Sequence, residues 1–246
     1  MVNRDELNNY CANFLSVSKY KDYCPNGLQV EGSLNINKIV SGVSANLDLI
    51  ELAIDEKADA IFVHHGIFWK NESNVIVGSK RKKIDLLIKN NINLFAYHLP
   101  LDAHSEVGNN VELGRILGIK NMKSVDDSLL WHGDLDTDLM NFTRLIQKEL
   151  GRVPEIFGRK NNSVNSIAWC TGGAQGFIDE AINLNVDIYL SGEVSERTPA
   201  VAKENNLTYI SAGHHATERY GVQALCEHLC TKFKLKQQFI EVNNSV

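Results

Sequence analysis

The chain has no Cys-x-x-Cys pair, and its five cysteines, Cys11, Cys24, Cys170, Cys226 and Cys230, are an odd number scattered over its length. Neither a disulfide framework nor a thiolate-rich zinc knuckle is built that way. Cys226 and Cys230, four apart on an expected helix, read as small buried apolar residues. No run approaches the roughly eighteen apolar residues of a membrane span. Met1-Val2-Asn3-Arg4-Asp5 leads into a charged amphipathic segment rather than an apolar signal core. The expectation is a cytoplasmic, reducing location with no membrane partner. Positive charge is also scarce: the net charge is -5, which removes the Lys/Arg attraction that drives nucleic-acid binding. The one basic cluster, Lys80-Arg81-Lys82-Lys83, reads as a solvated helix face. A Walker loop and a Rossmann fingerprint are missing too. The glycine-rich run Cys170–Gly176 lacks the lysine a Walker loop needs, which leaves a strand-to-helix turn able at most to show backbone N–H groups to an anion.

What is present is an ordinary globular composition, 43% hydrophobic and 22% charged over 246 residues, enough for one large domain or two small ones. Leu7, Tyr10, Cys11, Phe14 and Leu15 mark a helix over 5–17. Residues 23–32 read as turn, short extended segment and turn. The runs 38–44, 58–63 and 92–97 read as strands, with helices over 47–56 and around 84–88 between them and another over 111–117 stopped by Gly118. This rhythm predicts an α/β fold with helices covering a largely parallel sheet, in which ligands lie beyond the carboxyl ends of the strands. The pattern blurs over 121–138, which places a first lobe at 1–125 and a second at 126–246, with the segment from about residue 207 a candidate to pack back on the first. A helix over 138–150, stopped by Gly151, a strand at 155–157 and a turn at Asn161-Asn162-Ser163 follow.

The second half repeats the first. Ile39–Ser44 aligns with Ile167–Gly172 at a shift of 167 − 39 = 128, which also lays His64-His65 on Gly192-Glu193. A shift of 214 − 98 = 116 lays His98-x-x-x-Asp102 on His214-x-x-x-Glu218. Each half therefore carries a strand followed by His-x-x-x-carboxylate. The second copy suits one helical turn, whereas Pro100 makes the first a tight loop. His64, His65, His98, Asp102, His214, Glu193 and Glu218 thus offer imidazoles and carboxylates at expected strand ends. Mixed N/O donors without thiolate favour zinc, iron or manganese. Seven donors exceed the four or so of one zinc, so two divalent ions per chain fit better. A bridging carboxylate would hold them about 3.5–4 Å apart.

The runs Pro25–Gly32, Val63–Trp69, His98–Asp102 and Gly213–Glu218, in this order, resemble the Nif-three-like dinuclear-metal-centre proteins, the GTP cyclohydrolase I type 2 homologues, in the short branch without an inserted middle domain. The resemblance implies two interlinked, similar α/β lobes, a dinuclear metal site in the crevice between them, and homohexamers. It places metal ligation on His64, His65, Asp102, His214 and Glu218, with Glu218 as bridge. His98 falls beside the metals and, with Glu218, is the candidate for proton handling; His215 falls behind the ligands. Proline often follows the histidine pair in these proteins, where this chain has Gly66. The function implied is metal-dependent hydrolysis of a small-molecule substrate, a nucleotide, purine-like ring or phosphoester. The alternative is a non-catalytic metal-binding or interaction protein. Roles for Glu193 and for the 170–176 turn stay open.

Overall fold

A computed structural model of the chain describes residues 1–159 and 163–246. It is a mixed α/β structure of two compact units, one of Met1–Gly108 with Gly221–Asn243, the other of Asn109–Tyr220 with Asn244–Val246.

The first unit is built on a five-stranded sheet in the order Lys236–Phe239, Lys38–Ser44, Ala60–His65, Asn93–Ala96, Gly27–Val30. All neighbours run parallel except Gly27–Val30, which is antiparallel to Asn93–Ala96. Alternate residues serve opposite faces. Ile39, Phe62, Phe95 and Tyr97 join one apolar cluster, with Leu7 and Cys11 of the helix Arg4–Phe14 and Val222, Leu225 and Cys226 of the helix Arg219–Phe233. Val40, Ile61, Val63 and Leu94 join another, under Leu49, Ile50 and Ala53 of the helix Leu47–Asp55 and Leu87 of the helix Gly78–Lys89. Helices on both faces explain why Ala60-Ile61-Phe62-Val63 is continuously apolar rather than alternating. Side chains that must stay polar are left to the strand's last two positions, His64 and His65.

The second unit has a six-stranded sheet in the order Lys120–Ser124, Trp131–Thr137, Val164–Cys170, Ile188–Ser191, Thr208–Ser211, Glu155–Gly158. Its central three strands are parallel and the rest antiparallel. The stretch 121–138, where the sequence pattern blurs, is taken up by an antiparallel pair, Lys120–Ser124 with Trp131–Thr137. The outer strand is exposed at four of five positions, so it carries almost no apolar signal. The helix Leu139–Leu150 starts under an Asp138 cap and ends at Gly151, whose φ of 71° takes the left-handed turn that glycine adopts without cost. The turn expected at Asn161-Asn162 lies outside the described residues.

The internal repeat is visible in register as well as in order. Ile39 pairs with Ala60 and Ile167 with Ile188, both pairs related by a shift of 128. An aspartate ties each strand start in the same way. Asp59 Oδ2 accepts from the backbone N–H groups of Asn37 and Lys38 at 2.8 and 2.9 Å, and Asp187 Oδ2 accepts from those of Asn165 and Ser166 at 2.8 and 3.1 Å. Two charge-assisted bonds to strand-start amides make each carboxylate a register pin. Asp59→Ala and Asp187→Ala are each expected to cost about 2 kcal/mol, read as a drop in the urea midpoint by circular dichroism. An effect under about 0.5 kcal/mol at either position would deny that the two copies are pinned alike.

Candidate metal centre

In the first unit the strand Ala60–His65 delivers the histidine pair, and the strand Asn93–Ala96 leads through Tyr97 to His98. His64 is fully buried. Its Nδ1 donates to the Tyr97 carbonyl at 2.9 Å, so the proton sits on Nδ1 and the lone pair on Nε2. His65 Nδ1 is hydrogen-bonded to Ser44 Oγ at 3.1 Å, across the pairing of Ser44 with His65. His98 Nδ1 donates to Asp22 Oδ1 at 2.7 Å. The three rings lie 4.6 to 5.8 Å apart by centroid, and one nitrogen from each falls within 4.8 Å of the others. Asp102 Oδ1 stands 3.4 Å from His64 Nε2. Asp102 arrives there on a short helix, Leu99–Ala103, where the sequence predicts a tight loop. Pro100 is no obstacle in a first turn, because the N–H it lacks has no intrahelical partner there.

In the second unit the strand Thr208–Ser211 leads through Ala212 and Gly213 to His214. Gly213 has φ 100° and is one residue more than the first copy has between its strand end and its histidine. His214 lies between two carboxylates. Its Nδ1 donates to Glu193 Oε1 at 2.6 Å, and its Nε2 lies 3.1 Å from Glu218 Oε2. Burial pulls the His214 pKa down, but hydrogen bonds and charge from Glu218 and then Glu193 outweigh it and raise it to about 9. Glu193 thus orients His214 through Nδ1, the outer carboxylate–histidine contact that metal-ligating imidazoles use. The copy of His64 in this unit is Gly192, where a Cβ would stand 2.6 Å from the Gly172 carbonyl and 2.7 Å from the His214 Cα. A histidine there would collide with backbone. Gly172, with φ 69°, makes equal room for Glu218: a Cβ would come 1.9 Å from Glu218 Oε1. The glycine-rich turn therefore accommodates the carboxylate. His215 is buried, and its backbone N–H bonds to the Val246 carbonyl.

Three supporting residues, Asp22, Asn26 and Gln29, lie in or beside the stretch 23–32, part of which carries the family resemblance but to none of which the sequence assigns a role. Asp22 accepts from His98 Nδ1, the Leu99 N–H and Asn26 Nδ2; Asn26 Oδ1 accepts from the His98 N–H; Gln29 Oε1 accepts from the Ile67 N–H. Gly66 leaves space for that glutamine, since a Cβ would lie 2.2 Å from Gln29 Oε1. One short segment thereby fixes the turn after the histidine pair and the entry of the His98 helix.

The donor chemistry fits divalent ions held by His64, His65 and Asp102 in one unit and His214 and Glu218 in the other: imidazoles with their outer nitrogens engaged, beside carboxylates. Asp22, Cys24 and His98 also converge, but this group suits a metal poorly. Both Asp22 oxygens already accept hydrogen bonds, from His98 Nδ1 and from the Leu99 N–H and Asn26 Nδ2, and His98 Nδ1 is taken up by Asp22.

The charge on Asp22 makes stability depend on pH. Burial opposes that charge, but the bonds from His98 and Asn26, the His98 charge and the Leu99 N–H prevail and hold its pKa at about 2, against an ordinary 3.8. A depressed carboxylate contributes stability that is complete above about pH 4 and is lost as pH falls through about 2. Asp22→Asn is expected to lower stability by about 2 kcal/mol at pH 6, with the gap from wild type closing below about pH 3. Urea unfolding at a series of pH values checks this; a gap independent of pH would contradict it.

Comparison with known proteins identifies the family. A family model described as Duf34/NIF3 (NGG1p interacting factor 3) matches residues 2–245. A GTP cyclohydrolase 1 type 2 homolog of Allochromatium vinosum is 48% identical over 248 residues, which is 99% of this chain and 98% of that one. A protein of the same name from Pseudomonas aeruginosa is 47% identical over 237 residues, 94% of each. Among solved structures, protein ybgI, of unknown function, is similar with a TM-score of 0.96 and 43% identity, and TTHA1606 from Thermus thermophilus with 0.94 and 32%, each over the full length of both chains. The chain belongs to the Duf34/NIF3 family.

Proposed function

We propose that the two donor sets share a pair of divalent ions, zinc, iron or manganese, and that the protein is a metal-dependent hydrolase of a nucleotide, a purine-like ring or a phosphoester. The observation that carries this reading is the paired arrangement of donors: in each unit a parallel strand runs out into His-x-x-x-carboxylate, with the histidine's Nδ1 held by an acidic side chain. His64, His65, Asp102, His214 and Glu218 are the proposed ligands, with Glu218 as the bridge. Ions held there would supply Lewis-acid polarisation and acidify a water towards a pKa of about 7.

The chain's own residues do the rest. His98, its Nδ1–H held by Asp22 and its backbone N–H by Asn26, presents Nε2 as a positioned proton acceptor. The Gln29 bond to the Ile67 N–H keeps the turn after His65 in place. The substrate class draws support from the name GTP cyclohydrolase 1 type 2 homolog carried by the relatives. Hexamer assembly belongs to the same reading and rests on the family resemblance, and cytoplasmic residence rests on the odd, scattered cysteines. A non-catalytic metal-binding or interaction role has one observation in its favour, the partner-binding description of the family model, NGG1p interacting factor 3.

Metal analysis of protein purified without chelator, followed by a panel of nucleotides and phosphoesters, decides between the readings. Two ions per chain and turnover of at least one substrate are expected. Glu218→Ala is expected to abolish that turnover and to weaken metal binding at least about 10–100-fold. Two bound ions with no turnover across the panel would favour the non-catalytic role, and less than one ion per chain after reconstitution would overturn the dinuclear site.

A further inference from the structure

A cleft of about 490 Å³ opens in the first unit beside His98, within the size range of small-molecule sites. None of its lining belongs to the proposed ligand set. Two segments wall it, the turn around Tyr23 and the loop Phe68-Trp69-Lys70, tied together by a 2.7 Å bond from the Lys70 N–H to the Tyr23 carbonyl. The walls are therefore joined through backbone.

Three aromatic rings, Tyr23, Phe68 and Trp69, stand in the lining. Trp69 packs edge-on to the His98 ring at 5.2 Å and Tyr23 at 6.3 Å, while Trp69 lies 5.8 Å from the His65 ring. Tyr23 is nonetheless 60% exposed, a large apolar face that burial against a flat ligand would satisfy. Asp22, which lines the same cleft, is the residue that holds His98 Nδ1. A ring stacked in the cleft would thus lie one side chain away from the proposed proton acceptor.

The lining holds one cation, Lys70, and one anion, Asp22, whose two oxygens are already engaged by His98 and Leu99. Lys70 is exposed and its ammonium has no ion pair among the described residues. The Lys80 ammonium stands 5.7 Å over the ring of Phe68, a wall residue, with Glu72 3.6 Å away. Stacking rings in the wall and an unneutralised ammonium at the rim specify a flat ring that carries an anionic group.

We infer that this cleft is a subsite for a planar heteroaromatic phosphate ester, the ring stacking on Trp69 and Tyr23 and the phosphate meeting Lys70. It rests on the hydrolase reading for what happens to the ligand, not for its binding. Calorimetric titration of the purified protein with GMP, guanosine and ribose 5-phosphate tests it, with metal content measured in each variant. Trp69→Ala is expected to weaken GMP and guanosine at least about tenfold and Trp69→Phe less than about threefold. Lys70→Ala, which keeps the backbone bond to Tyr23, is expected to weaken GMP and leave guanosine unchanged. Metal content should stay at the wild-type level throughout. GMP affinity unchanged by both alanine variants, or no binding of GMP or guanosine by the wild type, would overturn the subsite even if metal and turnover are intact. Trp69-dependent binding in a protein that turns nothing over would uphold the subsite while the hydrolase reading fails.

Discussion

Parallel strands buried on both faces are the constraint from which the rest follows. In the first unit Lys38–Ser44, Ala60–His65 and Asn93–Ala96 lie between two apolar clusters, and in the second Val164–Cys170, Ile188–Ser191 and Thr208–Ser211 lie between two more. Such strands have no solvent-facing side on which to place imidazoles and carboxylates, because an unsatisfied polar group in the interior costs more than its packing returns. The polar donors collect where the strands end. Each of the four histidines is then held through its Nδ1: Tyr97 and Ser44 hold the histidine pair, Asp22 holds His98, and Glu193 holds His214.

Duplication accounts for the likeness of the two donor sets and packing accounts for their difference. Asp59 and Asp187 pin equivalent strand starts, and His98 and His214 follow equivalent strands. Equivalence stops at Gly192, where the backbone of His214 and the Gly172 carbonyl leave no room for a side chain. The second unit therefore carries one histidine where the first carries a pair, and the neighbouring Glu193 orients that histidine.

The histidine pair, the His-x-x-x-carboxylate motifs and the α/β rhythm are legible in the sequence because they are local: residue types at fixed spacing, on strands with strong apolar periods. The supports are not. Asp22 and Asn26 reach His98 across 76 and 72 residues, and Gln29 reaches Ile67 across 38. No spacing rule connects such positions, so the sequence assigns no role to Asp22, Asn26 or Gln29. The edge strand Lys236–Phe239 escapes notice because Lys-Gln-Gln-Phe has no β-branched residue and no alternation. Residues 121–138 read as a junction because an exposed hairpin strand has little to bury. Contact in fact divides the chain at Gly108, because Val111, Leu113 and Leu117 pack into the second unit's core, whereas the pattern on which the sequence places a boundary fades only later.

The proposed site has donors from both copies of the repeat serving two ions at once. Crystals grown without chelator, measured on either side of the absorption edge of the metal found, test it directly. Two anomalous peaks per chain about 3.5–4 Å apart are predicted, with Glu218 touching both and His64 and His65 divided between them. A single peak, or two peaks each confined to the donors of one unit, would contradict it.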